Sequence, residues 1–174
     1  LDGLATMVDQ LLQLARADAL PDGVTPVPAA LDDVAAEAVE RWRAAATARG
    51  LSLEVEALDE ARARLDVPYV ARLLDILLDN AMRYTPRGGR VRVAARAEAG
   101  GASVIIDDSG PGIPEHDRPH VFERFWRGAQ ARQIEPSGSG LGLALAQWIA
   151  DAHGGRIELG IAELGGARVR VVFP

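Results

Sequence analysis

Apolar residues recur at three- and four-residue spacing along much of the chain, a pattern that predicts amphipathic helices. Four stretches show it, at residues 1–20, 31–49, 67–84 and 141–153. Each stretch ends at a proline or glycine signal, such as Gly50, where a helix cannot easily continue. The first helix has an apolar stripe that it cannot bury alone. We therefore expect it to pair with other helices in a bundle or to dock on the rest of the chain.

Alternation of apolar and polar residues predicts strands between and after these helices. The predicted strands lie at residues 51–56, 61–66, 90–97, 102–107, 156–160 and 167–173. We expect the first two of these strands to form a hairpin, and Ala99-Gly100-Gly101 to turn the chain between the next two. Residues 24–28 contain two prolines, which is typical of an extended linker or an edge strand. Helices packed on a mostly antiparallel sheet indicate an α+β fold.

Composition narrows the classes of partner. The 174 residues are 48% hydrophobic and 25% charged, which is typical of a folded domain, and their formal net charge is −6. That charge argues against nucleic acid as a partner. All 19 basic residues are Arg, so any side-chain contact with phosphate is made by a planar guanidinium. The sequence has no Cys and no apolar run long enough for a membrane span.

Two glycine-rich segments, residues 108–113 and 138–143, indicate a nucleotide site. Backbone without Cβ atoms can approach phosphates closely. The second segment leads into the last predicted helix, so the free N–H groups of Gly140, Leu141 and Gly142 would face an anion. Either segment alone is weak evidence, because such glycine runs are often mobile loops and an Asp before Gly-Pro-Gly is often only a turn.

Asn80 lies among leucines on the third predicted helix, and Ile76 and Arg83 share its face. Two interpretations stay open from this helix alone. In the structural one, the Asn80 amide bonds a neighbouring loop and Arg83 pairs with Asp79. In the functional one, the Asn80 oxygen ligates Mg²⁺, Arg83 contacts phosphate and Tyr84 packs against the base or ribose.

Asp108 follows an apolar strand and precedes a glycine turn, so its carboxylate lies where a buried strand opens. There it would accept a hydrogen bond from the exocyclic amine of adenine and would reject guanine, which has a carbonyl at that position. An Asx turn or a salt bridge would explain the same residue as well. Asp107 is expected on the opposite face of the strand, away from the site.

The segment between the two glycine signatures has the composition of a lid. Residues 121–127 contain three aromatics and two arginines, and residues 128–139 are polar and without periodicity. We expect an aromatic hinge and a flexible cover, with irregular backbone from the first signature to Gly140. A surface loop above a small aromatic cluster is the alternative.

Four motifs in a fixed order resemble those of sensor histidine kinases. Residues 78–86 are similar to the N box, 108–113 to the G1 box, 121–127 to the F box and 138–143 to the G2 box. The resemblance covers residues 31–174 and implies the catalytic, ATP-binding domain of the gyrase, Hsp90, histidine kinase and MutL superfamily. It implies a two-layer α/β sandwich with a mixed, mostly antiparallel sheet, helices on one face and a preceding N-terminal helix.

The resemblance also implies a domain organisation and a set of site residues. Residues 1–22 are similar to the end of a dimerisation and phosphoacceptor domain helix, 23–30 form a linker and 31–174 form the catalytic domain. Asn80 and Arg83 are the implied catalytic residues, and Asn80 is the implied metal ligand. The implied nucleotide-binding residues are Asn80, Arg83, Tyr84, Asp108, Gly110, Gly112, Ile113, Phe122, Gly138, Gly140, Leu141, Gly142 and Leu143.

Two departures from the family pattern bear on function. Members commonly carry Asn four residues before the metal-ligating Asn, and ATPase relatives carry a Glu base there, but this chain has Ile76. Isoleucine neither activates water nor ligates metal, which argues against a hydrolysing ATPase. Asp75 lies about 100° further round the helix and is not expected to substitute. None of the three histidines lies in a phosphoacceptor motif; they are His116, His120 and His153.

The resemblance therefore predicts a protein-histidine kinase catalytic domain with ATP and Mg²⁺ as cofactors. It would donate the γ-phosphate to a histidine on a separate upstream domain, from which a response regulator would receive it. The sequence begins at Leu1 within a helical pattern, so we expect a piece of a longer protein. The resemblance implies that this longer protein is a homodimeric, membrane-anchored bacterial sensor whose catalytic domain is cytoplasmic. The alternatives are a nucleotide-binding module without phosphotransfer and an ATPase of the same superfamily.

Overall fold

The computed structural model describes Val8, Leu11, Leu12 and residues 23–136 and 138–174. Val8, Leu11 and Leu12 are helical and exposed. The rest of the first predicted helix, and its expected pairing in a bundle, lie outside the described residues. Within the described ranges, no helix has both the length and the apolar character needed to cross a bilayer.

The described elements alternate between helices and strands as the periodicity predicts. Their order is β1 Val27–Ala30, α1 Leu31–Arg49, β2 Ser52–Leu58, β3 Arg62–Leu65, α2 Val67–Tyr84, β4 Arg90–Glu98, β5 Gly101–Asp108, α3 Ala129–Ile134, α4 Gly142–Ala152, β6 Arg156–Ile161 and β7 Ala167–Phe173. The predicted helices over 31–49 and 67–84 are confirmed, and the predicted last helix differs only at its ends. Gly50 ends α1 with φ of 70°, in the left-handed region that glycine adopts without strain.

The main sheet is mixed and mostly antiparallel. Its strand order is β2-β4-β5-β7-β6, in which β2 and β4 run parallel and the other neighbours run antiparallel. Helices α1, α2 and α4 pack on one face, where apolar residues such as Val93, Val104 and Phe173 are almost fully buried. The predicted α+β fold is confirmed.

The two faces of β5 separate its adjacent aspartates, because successive side chains of a strand alternate in direction. Asp107 lies on the outer face, 1% exposed, and forms a bidentate ion pair with Arg168 of β7 at 2.6 and 2.8 Å. The outer face continues with cross-strand pairs of Arg and Glu, such as Arg170 with Glu98 and Glu158. Asp108 therefore faces the helix layer, where the cavity described below lies.

The predicted hairpin between residues 51–56 and 61–66 is wrong. Strand β3 pairs antiparallel with β1, and β2 pairs with β4 instead. The hydrogen bond from the Leu31 N–H to the Ala61 oxygen, at 2.7 Å, fixes the chain at the start of β3 beside the end of β1. The proline-containing segment thus includes an edge strand, one of its two predicted forms. The boundary between linker and domain stays a prediction.

The expectation of irregular backbone up to Gly140 is also wrong. Residues Ala129–Ile134 form the short helix α3 in the middle of the lid segment. The sequence Ala-Gln-Ala-Arg-Gln-Ile consists of residues that favour helix, but six residues are too few to display a hydrophobic period. The lid segment therefore carries a rigid turn of helix.

Candidate functional site

One cavity of about 560 Å³ lies between α2, the N-terminus of α4, the segment after β5 and the lid. Most of the predicted site residues line it: Asn80, Arg83, Tyr84, Asp108, Gly112, Ile113, Gly138, Gly140, Gly142 and Leu143. Gly110, Phe122 and Leu141 do not line it. A second groove, of about 540 Å³ between α1 and β2, contains none of the predicted residues.

The carboxylate of Asp108 is held in one orientation at the end of β5. Its Oδ1 accepts hydrogen bonds from the N–H groups of Gly110 at 2.8 Å and Ala167 at 3.1 Å. Within the described part of the chain, Oδ2 has no hydrogen-bond partner. Asp108 is only 7% exposed. Burial raises the pKa of its carboxyl above the ordinary value, although the two backbone hydrogen bonds act in the opposite direction.

Two glycines allow the backbone to close around Asp108. A Cβ on Gly110 would lie 2.8 Å from the Tyr84 carbonyl oxygen, and a Cβ on Gly166 would collide with Asp108 Oδ1. The Gly166 N–H also donates to the Asp108 carbonyl oxygen at 3.1 Å. Gly110 is thus behind the cavity wall, where it orients the carboxylate. Gly112, with φ of 75°, turns the chain into the cavity wall.

The cavity-facing side of α2 includes the amide of Asn80, the guanidinium groups of Arg72 and Arg83, and apolar side chains such as Ile76. Asn80 is half-buried and, among the described residues, its amide bonds no protein group. Ile76 lines the cavity at 7% exposure, and it offers no polar atom. Of the structural alternatives for this helix, the Arg83 pair with Asp79 is present, at 2.5 Å, and the Asn80 bond to a loop is absent from the described residues.

Asp75 is engaged with α1. Its Oδ1 accepts hydrogen bonds from Trp42 Nε1 at 2.9 Å and from Arg41 Nη2 at 3.1 Å. These contacts are in line with the expectation that Asp75 does not replace the polar residue missing at Ile76. Asp75 and Asp79 both pair with arginines, so the Asn80 side-chain oxygen is the amide oxygen of α2 that stays available to a ligand.

The protein donors for Mg²⁺ are few. Asn80 Oδ1 is a hard oxygen ligand of the kind that Mg²⁺ accepts. Residues 23–136 and 138–174 contain no group of three or more His, Asp or Glu that is placed to hold a metal. The residues present therefore fit an Mg²⁺ that keeps water ligands and shares the oxygens of a bound phosphate chain.

The lid reaches the cavity through residues other than the predicted Phe122. Phe122 is half-buried and lies outside the cavity. Trp126 and Arg127, four and five residues further along the chain, line the cavity. The Arg127 guanidinium donates to the backbone oxygens of Ala131 at 3.1 Å and Pro136 at 3.0 Å, and also to that of Glu135. One side chain therefore ties the C-terminal end of α3 to the aromatic hinge.

The second glycine signature positions the N-terminus of α4 at the cavity. Gly140 has φ of 71°, and a Cβ there would lie 2.7 Å from the Phe125 carbonyl carbon. The Phe125 N–H donates to the Gly140 oxygen at 2.9 Å. Leu141 is fully buried in the core, so its side chain anchors the turn. Gly140, Gly142 and Leu143 line the cavity beside the first turn of α4, whose N–H groups have no carbonyl partner within the helix. The Leu141 N–H, which was expected to face an anion, donates to Ser139 Oγ at 3.3 Å instead.

Several lining residues were not predicted from the sequence. Trp42 comes from α1, Leu159 from β6, and Ala167 and Val169 from β7. Tertiary packing brings them to the cavity, and no local pattern marks them. Gly165-Gly166, directly before Ala167, favours a tight turn and is the local signal that could have drawn attention to this residue.

No histidine lines the cavity in the described residues. His116 and His120 are exposed on the segment after β5. His153 is buried and lies between α2 and α4. Its Nδ1 donates to the Ile149 oxygen at 2.7 Å, and its Nε2 accepts from the Asp66 N–H at 2.9 Å.

Known proteins resemble this chain in amino-acid sequence and in fold. The profile of the family described as "Histidine kinase-, DNA gyrase B-, and HSP90-like ATPase" matches residues 65–174. The chain is 35% identical over 159 residues to "Sensor-like histidine kinase SenX3" of Mycobacterium bovis, covering 90% of this chain and 38% of that protein. It is 35% identical over 179 residues to "Signal transduction histidine-protein kinase/phosphatase MprB" of Mycolicibacterium smegmatis, covering 100% of this chain and 35% of that protein.

Solved structures give the same result. "Mycobacterial sensor histidine kinase MprB" matches with a TM-score of 0.73 and 32% identity, over 86% of this chain and 97% of that one. "Crystal structure of ShkA full-length in complex with AMPPNP" matches with a TM-score of 0.82 and 26% identity, over 99% of this chain and 36% of that one.

The chain belongs to the histidine kinase-, DNA gyrase B- and HSP90-like ATPase family. Within that family, the relatives named above are sensor histidine kinases, and the fold is that of a histidine kinase catalytic domain. The chain spans 38% and 35% of the length of the two curated relatives. The activity and partners of the whole protein are therefore matters for proposal.

Proposed function

We propose that this chain binds Mg-ATP and donates the γ-phosphate to a histidine on a separate upstream dimerisation domain, in two-component signalling. The observation that carries the proposal is that Asn80, Asp108 and the N-terminus of α4 line one cavity. An amide oxygen, a base-reading carboxylate and an anion-binding helix end are the groups that a magnesium nucleotide requires.

The adenine end of the site is assigned to Asp108. Its Oδ1 is occupied by two backbone N–H groups, so Oδ2 is the oxygen left to accept the exocyclic amine of adenine. The carbonyl oxygen of guanine at that position would face a carboxylate, and both are acceptors. Ile113 and Tyr84 line the same cavity and supply surface for the base or ribose. The site is therefore expected to prefer adenine nucleotides.

The phosphate end is assigned to Asn80, Arg83 and the backbone of residues 138–143. The free N–H groups at the start of α4 would donate to phosphate oxygens, and Asn80 Oδ1 would ligate the metal. Arg83 would contribute a fixed positive charge. Mg²⁺, when bound, supplies neutralisation of charge on the phosphates.

The acceptor is assigned to another domain. His116, His120 and His153 lie outside the cavity lining. In the transfer, a bond forms between an imidazole nitrogen and the γ-phosphorus, the bond from that phosphorus to the β–γ bridging oxygen breaks, and ADP leaves with the electron pair. The lid would exclude water during this step. A response regulator would then receive the phosphate, within a homodimeric, membrane-anchored sensor whose catalytic domain is cytoplasmic.

Two alternatives belong to other functional classes. A hydrolysing ATPase of the same family would need a base near the γ-phosphate, and Ile76 occupies the position at which ATPase relatives carry it. A nucleotide-binding module without phosphotransfer would share the cavity and would differ only in its reaction with an acceptor.

Calorimetric titration with Mg-ATP tests the binding part of the proposal. We expect saturable binding by the parent chain, and binding weaker by about 10-fold or more in Asn80→Ala, because a metal ligand is lost. Gln147→Ala removes an amide on α4 outside the cavity and is expected to bind like the parent. A parent that gives no heat, or an Asn80→Ala variant equal to it, would contradict the proposal.

The transfer part requires the upstream domain as a second component. We expect acid-labile, base-stable phosphate on a histidine of that domain when it is mixed with this chain and Mg-ATP. Steady release of phosphate without the acceptor would favour the ATPase. Binding without either reaction would favour the module that does not transfer phosphate.

A further inference from the structure

Arg83, the side chain assigned above to phosphate, lies between two carboxylates. Its Nη2 is 2.5 Å from Asp79 Oδ2, and its Nη1 is 3.6 Å from Glu135 Oε2. Arg83, Asp79 and Glu135 side chains are about a third exposed or less, at 30%, 30% and 27%. The guanidinium of Arg83 therefore has a carboxylate partner on each side.

The two ion pairs differ in origin. Asp79 lies one helical turn before Arg83 on α2, so that pair persists whatever the lid does. Arg49 adds a second positive charge near Asp79, at 3.7 Å. Glu135 comes from the lid, directly after α3, and its pair with Arg83 exists only while the lid lies against α2.

The position of Glu135 is set by its own backbone. Arg127 donates to the carbonyl oxygens of Ala131, Glu135 and Pro136, which holds this part of the lid at the cavity rim. Glu135 is also the only acidic residue in the lid sequence 128–139. The structure pairs this carboxylate with Arg83, the proposed phosphate ligand, which lines the cavity.

We propose that Glu135 is a placeholder for phosphate, which holds the lid on Arg83 in the nucleotide-free protein and is displaced when the phosphate chain of the nucleotide binds. The proposal rests on the proposed function, because it requires that Arg83 contacts phosphate. A carboxylate and a phosphate near one guanidinium repel each other, so the nucleotide has to replace Glu135. Glu135 accordingly lowers the affinity for nucleotides that carry phosphates and leaves the affinity for the nucleoside alone.

A cycle of four chains tests the exchange: the parent, Glu135→Gln, Arg83→Gln and the double variant, each titrated with Mg-ATP and with adenosine. We expect Glu135→Gln to bind Mg-ATP about two- to five-fold more tightly, the range for a partly exposed ion pair. Adenosine binding should stay unchanged, because adenosine has no phosphate. Glu60→Gln, an exposed change of the same charge outside the cavity, should match the parent.

The Arg83→Gln background separates the placeholder from general repulsion between Glu135 and the nucleotide. If Glu135 acts through Arg83, the gain from Glu135→Gln disappears in the double variant. A gain that persists without Arg83, an equal change in adenosine binding, or no gain in Mg-ATP binding would each overturn the placeholder. A parent that binds neither ligand would instead overturn the proposed function, and the placeholder would fall with it.

Discussion

Asp108 is placed under opposite demands by folding and by base recognition. Burial raises the pKa of its carboxyl, so the ionised form is less favourable in the folded chain than in the unfolded one. Above the raised pKa the folded state therefore loses stability by keeping Asp108 charged, and it regains that stability as the pH falls through the raised pKa towards the ordinary one. The ionised carboxylate lies where the proposed site needs an acceptor for the exocyclic amine of adenine.

The Asp108→Asn variant should separate these two demands. Gly110 and Ala167 N–H groups would hold the amide oxygen, so the NH₂ group would face the cavity in place of Oδ2. We expect ATP binding to weaken by about 10- to 100-fold and the preference for ATP over GTP to shrink. Calorimetry with both nucleotides measures this, with the exposed Asp59→Asn as the matched control.

The same variant should not lose stability. Its free energy of unfolding at neutral pH should equal or exceed that of the parent, and the difference should narrow as the pH falls and Asp108 takes up a proton. Urea unfolding at several pH values measures this. A variant that is clearly less stable at pH 7 would show that the ionised carboxylate supports the fold.

Phe125 carries a local backbone strain. It is the only non-glycine residue with positive φ in the described part of the chain, at 65°, and its side chain is 56% exposed. The left-handed conformation costs a residue with a Cβ about 1–2 kcal/mol, and glycine avoids most of that cost. We expect Phe125→Gly to be more stable than Phe125→Ala by about 1 kcal/mol in urea unfolding. The reverse order would mean that the turn is not strained.

At the scale of elements, the lid is organised by Arg127. Its guanidinium satisfies backbone oxygens at the end of α3, and α3 is too short to be stable alone. We expect Arg127→Ala to speed hydrogen exchange at residues 129–136 by about 5- to 10-fold, since hydrogen bonds worth about 1 kcal/mol or more are lost. Exchange measured by mass spectrometry tests this. Arg62→Ala, an exposed change on β3, should leave lid exchange unchanged.

Long helices with many apolar repeats were predictable from the sequence. Short elements whose place depends on a strand or helix elsewhere in the chain were not. Helices α1 and α2 extend over 19 and 18 residues and end just before the stop signals at Gly50 and Thr85, so the helical period and the stop signals agree. Strand β3 has four residues, and its partner β1 depends on a hydrogen bond at Leu31 that no local pattern reveals. Helix α3 was missed for the same reason of length.

The candidate site divides along the same line. Asn80, Asp108 and the α4 turn belong to sequence motifs, so the sequence was sufficient to propose that they lie together, and they line one cavity. Their chemical roles stay a prediction. Trp42 and Ala167 reach the cavity through helix packing and strand pairing across long separations in sequence. The contact between Glu135 and Arg83 could not be predicted either, because the two residues lie 52 positions apart in the sequence.

At the scale of the whole molecule, His153 ties together three elements. Its ring bridges the Asp66 N–H at the start of α2 and the Ile149 oxygen of α4, and it packs edge-on against Phe173 of β7 at 5.6 Å. The two helices that carry the proposed phosphate groups therefore meet at this ring, far along each helix from the cavity.

The His153→Ala variant should destabilise the whole domain. It leaves the half-buried Asp66 N–H without its His153 partner and opens a cavity beside Phe173, and together these changes should lower the free energy of unfolding by about 2–4 kcal/mol. Urea unfolding followed by circular dichroism measures the loss. His120→Ala, an exposed change of the same kind, should cost much less, and equal losses would contradict this role.

Strand β1 passes into α1 without an intervening residue, since β1 ends at Ala30 and α1 begins at Leu31. The two segments are therefore directly continuous, and the antiparallel ladder to β3 holds the chain just before the helix begins. A displacement of residues 23–26 is therefore expected to act on this ladder and on the 19-residue helix together. Trp42 on the helix bears on Asp75 of α2. A continuous path of contacts therefore connects the β1–β3 ladder, through α1, to α2 and the wall of the cavity.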